Sequence, residues 1–91
     1  MLERVVEAYL VKRVRELGGE VRKVQFIGRR GAPDRLVMMP MWTCWIELKA
    51  PGQKAKPHQV REHTRMQRMG QDVRVIDSIE AVDALIAGVT V

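Results

Sequence analysis

The chain has 91 residues, and its sixteen lysines and arginines against eleven aspartates and glutamates give a net charge of +5. That length suits one small domain over 1–91 with a thin core, and the basic balance suits a polyanionic partner, either nucleic acid or an anionic membrane surface. No apolar run approaches the roughly 20 residues that cross a bilayer, and Met1-Leu2-Glu3 does not open a signal peptide. With the single Cys44 barred from an internal disulfide, the expected location is a reducing cytoplasm.

Residues 2–17 read as an amphipathic helix, with Leu2, Val5, Val6, Tyr9, Leu10, Val14 and Leu17 at three- and four-residue spacing. Gly18-Gly19 ends it. Glu3 and Glu7, four apart, share one edge of that helix. Glu20–Ile27 alternates loosely and reads as the first strand. Gly28-Arg29-Arg30-Gly31 follows as a glycine-bracketed loop whose guanidinium groups suit close approach to a phosphate.

Two apolar runs come next, 35–39 and 42–49, separated by Pro40-Met41 as a tight turn, so an antiparallel hairpin is expected. The loop 50–57 carries Lys54 and Lys56, which suit a phosphate backbone better than a base edge. Pro57 opens a helix over 58–69, with Val60, Thr64, Met66 or Gln67, and Met69 as its expected buried side. A short strand over 72–77 and a helix over 78–87, packed through Val82, Leu85 and Ile86, complete the chain. The order predicts an α/β domain with a small mixed sheet. The Met38–Trp42 cluster reads as core packing at an adaptable hairpin tip, or as a subunit interface if exposed.

Chemistry concentrates on the hairpin. Side chains alternate along a strand, so Trp45, Glu47 and Lys49 share a face while Ile46 and Leu48 point the other way. An unpaired charge inside an apolar strand is costly, so Glu47 and Lys49 need partners. Asp34, at the head of the neighbouring strand, brings a second carboxylate to the same spot. Two carboxylates at one point suit a hard divalent cation, Mg²⁺ or Mn²⁺, and an adjacent lysine suits an attacked phosphate. The pattern reads as metal-assisted hydrolysis of a phosphodiester. His58 and His63, five apart, miss the spacing of a helical zinc pair.

Pro33-Asp34 followed by Glu47-Leu48-Lys49 resembles the PD-(D/E)xK nuclease superfamily. Gly28-Arg29-Arg30-Gly31-Ala32-Pro33-Asp34-Arg35-Leu36-Val37 is similar, more narrowly, to the VRR-NUC family, as are 7–12, 47–52 and Pro57-His58-Gln59, in the same order. The resemblance implies a restriction-endonuclease-like αβββαβ core and a metal held by Asp34, Glu47, the main-chain carbonyl of Leu48 and an acid on the first helix. Glu7 is the choice for that acid, with Glu3 one turn earlier as its rival. It also implies that Lys49 orients the attacking water and that Gln59 joins the active-site set. Arg29, Arg30, Arg35, Lys54 and Lys56 are the expected DNA contacts. Small stand-alone relatives suggest a homodimer cutting four-way (Holliday) junctions. A flap or nicking enzyme, or a non-catalytic DNA-binding module, are the alternatives.

Overall fold

The structure, a computed structural model, describes residues 2–89. Its elements run α1 (Glu3–Glu16), β1 (Glu20–Lys23), β2 (Arg35–Met39), β3 (Trp42–Leu48), α2 (Pro57–Arg68), β4 (Val73–Ile76) and α3 (Ile79–Val89). The expected order is therefore borne out. The four strands lie in the order β1-β2-β3-β4. The first three are antiparallel, and β4 runs parallel to β3 after the crossover through α2.

The core lies on one face of the sheet. Val6, Leu10 and Val14, one per turn of α1, are fully buried against Val37, Cys44, Ile46 and Leu48 of the hairpin and Val82, Leu85 and Ile86 of α3. Each such side chain contributes about 1.5–3 kcal/mol by leaving water. The apolar stripe of α1 is narrower than its sequence suggests, because Leu2, Val5 and Leu17 stay exposed. Tyr9 Oη donates to Asp83 Oδ1 at 2.5 Å, and Arg13 Nη1 reaches the same oxygen at 2.6 Å, which ties α1 to α3. Gly18 ends α1 with φ +82°; its N–H bonds to Arg15 O and that of Gly19 to Val14 O, a Schellman closure that β-carbon-bearing residues resist.

Two expectations need correcting. The first strand ends at Lys23, not Ile27. The Val24 N–H still bonds to Asp34 O, but the chain then leaves the sheet, and Ile27 is 98% exposed. The second concerns α2, which lies on the face opposite the core. Its buried residues are Glu62 and His63, whereas Val60 and Met69 are exposed. Apolar periodicity was the wrong guide because the surface beneath α2 is polar.

Candidate active site

Met39 pairs with Trp42, so the hairpin turn is the two-residue Pro40-Met41. That register pairs Arg35 with Ile46 and so brings Asp34 opposite Glu47. Asp34 Oδ1 accepts the Leu48 N–H at 3.2 Å, which fixes the first carboxylate against the end of β3. Cys44, Ile46 and Leu48 fill the core, and alternation turns Glu47 to the α2 face.

There Glu47 is 5% exposed. Its Oε2 lies 3.6 Å from Lys49 Nζ and 3.4 Å from Gln59 Nε2, and its Oε1 has no hydrogen-bond partner. Burial, then repulsion from Asp34, push its carboxyl up to about 7; Lys49 opposes the rise and the charge of Glu3 adds to it. A carboxylate left this short of partners is held ready for something positive.

Gln59 does two things at once. Its Oε1 accepts the Lys56 N–H at 2.8 Å, closing the start of α2, while its amide nitrogen faces Glu47. The helix sits close enough for this because of Gly31. That residue has φ +86°, and a β-carbon there would stand 2.8 Å from the His58 carbonyl oxygen. His63, from the same side of α2, is buried with its Nε2 lacking a hydrogen-bond partner; burial holds its imidazole below the ordinary range. His58 is lowered too, by desolvation and then by Arg30, Lys56, Arg61 and Lys49, which together make the mouth of the site positive.

Glu7 is not brought to Glu47. Its Oε2 accepts from Arg35 Nε at 2.5 Å, and Arg35 Nη1 lies 3.4 Å from Asp34 Oδ2, so a guanidinium stands between the helix acid and Asp34. Glu3 is the helix acid whose charge is felt at Glu47. Arg35 itself is 6% exposed, which removes it from the surface where a DNA contact was expected: its position opposite Ile46 turns it into the α1 side of the sheet. Arg29, Arg30, Lys54 and Lys56 are exposed.

Among the described residues no three His, Cys, Asp or Glu side chains form a ready metal cage. The donors present are two carboxylates, one with a partnerless buried oxygen, beside the main chain of Leu48. This set fits Mg²⁺ or Mn²⁺, which keep several waters and commonly bind through one or two carboxylates plus substrate phosphate. Sequence reading passed over Glu62 and weighed His63 only as a zinc ligand. Their signal was their spacing, three and four residues after Gln59, which puts all three on one face of α2.

No family model matches the chain. It is 47% identical over 74 residues, 80% of each chain, to "Putative nuclease p44" of Acyrthosiphon pisum secondary endosymbiont phage 1. A solved structure described as a VRR_NUC domain superposes with a TM-score of 0.85 at 42% identity, covering 93% of this chain and 94% of that one. Sequence and fold thus agree over nearly the whole length, and the chain belongs to the VRR-NUC nuclease family.

Proposed function

We propose that this chain is a divalent-metal-dependent, structure-specific DNA endonuclease that hydrolyses phosphodiester bonds and, as a homodimer, resolves four-way junctions. The observation that carries the reading is Glu47: a buried carboxylate with one partnerless oxygen, facing Asp34 and flanked by Lys49 and Gln59. Asp34, Glu47 and the Leu48 carbonyl would hold Mg²⁺ or Mn²⁺. A bound ion of this kind polarises the scissile phosphate and lowers the pKa of water. Lys49, 15% exposed at its side chain, orients the attacking water and offsets charge developing on the phosphate. Gln59 keeps the Glu47 carboxylate in register and stands ready to donate to a phosphate oxygen. Arg35 holds Asp34 from behind, with Glu7 as its counter-ion. Arg29, Arg30, Lys54 and Lys56 meet the DNA backbone.

A homodimer is supported by the apolar hairpin end. Met41 is 99% exposed there, beside a cavity of about 440 Å³ lined by Leu17, Met39, Pro40 and Trp42. A two-fold pair of such domains presents two like sites to the two like strands of a junction.

The test is cleavage of a labelled four-way junction beside a flap, a splayed arm and a plain duplex, with Mg²⁺ or Mn²⁺, and with Asp34→Asn in parallel. Paired symmetric cuts in the junction alone are expected, abolished by Asp34→Asn with DNA binding retained. Cuts in the flap or duplex instead keep the nuclease and discard the resolvase. Metal-independent binding without cutting leaves a DNA-binding module.

A further inference from the structure

On the flank of α2, Arg61, Arg65 and Arg68 recur at four- and three-residue spacing and are all exposed. Beside them a cavity of about 260 Å³ is lined by Arg29, Glu62, Arg65, Met66, Arg68 and Met69. Its floor is Glu62, 4% exposed, whose Oε1 holds Arg65 at 2.8 Å and Arg29 at 3.5 Å. One carboxylate thus positions two guanidinium groups from different elements. A guanidinium carries five N–H donors, so each keeps donors for the groove. Arg68 has no ion-pair partner among the described residues. Three guanidinium groups against one buried carboxylate make a cationic concavity with room for a phosphate, and Met66 and Met69 contribute to its largely apolar walls.

Position in the fold says which phosphates. Gln59, in the first turn of α2, faces Glu47, and at 1.5 Å per residue Arg65 lies about 9 Å and Arg68 about 13 Å further along the helix axis. The groove therefore lies further along α2 than Gln59, outside reach of a bond cut beside Glu47. We infer that the groove between α2 and the Gly28–Gly31 loop binds backbone phosphates of the DNA strand flanking the scissile phosphate, through Arg29, Arg65 and Arg68, with Glu62 as their positioning residue. This rests on the nuclease reading. Backbone contacts of this kind set register without reading sequence.

The test uses the full chain, a fluorescein-labelled DNA duplex, EDTA to prevent cutting, and anisotropy over a series of KCl concentrations. Arg65→Ala with Arg68→Ala is expected to flatten the log K against log [salt] slope by about 2, roughly 0.9 per lost contact, and to weaken binding at least about tenfold at low salt. Lys12→Ala with Arg15→Ala, an equal charge change on α1, is the control. Arg68→Ala alone touches no ion pair, so its expected change of about 0.9 survives any folding defect caused by uncovering Glu62. In cleavage assays with metal, the double variant should raise KM and leave kcat within about twofold, as for loss of binding felt equally in ground and transition states. Slopes for both Arg variants no different from the control overturn the groove while wild-type cutting leaves the nuclease standing. Wild-type protein that neither binds duplex in a salt-dependent way nor cuts overturns both.

Discussion

The two ends of β3 each hold a carboxylate, and they are treated in opposite ways. At the start of the strand, Asp72 accepts from Trp42 Nε1 at 3.0 Å and from Arg74 Nε and Nη2 at 2.9 and 3.1 Å. The hydrogen bonds from Arg74 hold it below the usual carboxylate range. At the other end, Glu47 has one long amide contact, one lysine at 3.6 Å and an oxygen with nothing, and is pushed up to about 7. Both acids sit among cations. The difference is saturation: Asp72 is satisfied by its own fold, whereas Glu47 keeps one buried oxygen without a partner. A satisfied acid beside the start of β3 and an unsatisfied one near its end can thus be told apart.

The sharpest way to break that contrast is Glu47→Gln. Cleavage should fall by about 10³-fold or more, on the scale of losing a principal charge-stabilising group. Stability should move differently. Because the folded pKa of Glu47 lies above its ordinary 4.5, the metal-free native protein carries a cost that is absent below pH 4.5 and complete above about 7. That cost is about 3 kcal/mol, so thermal melts in EDTA should show natural protein losing more stability than the variant between pH 4.5 and 8. Adding Mg²⁺ at pH 8 should then raise the melting temperature of the natural protein alone. Equal pH profiles for the two would mean that Glu47 is not the strained acid described here.

Gly31→Ala asks whether the α2 side of the contrast depends on close packing. A β-carbon 2.8 Å from a main-chain oxygen, at φ +86°, forces the loop and the helix apart. Destabilisation of about 1–3 kcal/mol is expected, with kcat reduced about tenfold as Gln59 withdraws from Glu47. Denaturant melts and single-turnover cleavage check the two parts separately.

The smallest effect belongs to Asp72→Asn. Stability should drop by about 1–2 kcal/mol at pH 7, with cleavage unchanged. Since the pKa of Asp72 is depressed, its contribution exists above its ordinary 3.8 and disappears as pH falls through the lowered value, so the variant and natural protein should converge in acid. Lost cleavage in Asp72→Asn would end the separation of the two acids.

The sequence made the hairpin legible because two constraints agreed there: a two-residue turn and strict alternation dictate that Asp34 meets Glu47. The helices α1 and α3 were legible where apolar residues face an apolar sheet. Helix α2 was not, since its inner face carries Gln59, Glu62 and His63, and a hydrophobic pattern cannot find a polar interface. The surroundings of Glu7 were hidden for a related reason. Its spacing on α1 is right for a site acid, but the buried Arg35 claims it, and nothing local in the sequence marks an arginine inside a strand as buried.

The margins of the sheet limit how copies of this domain can meet. Both outer strands, β1 and β4, are only four residues long. Exposed Glu20, Arg22 and Lys23 line one, and exposed Arg74 stands on the other. Short, charged borders resist the addition of a further strand, since their polar side chains keep the edge in water. Such edges disfavour a ladder shared between copies, and with it the strand-by-strand growth that leads to fibres.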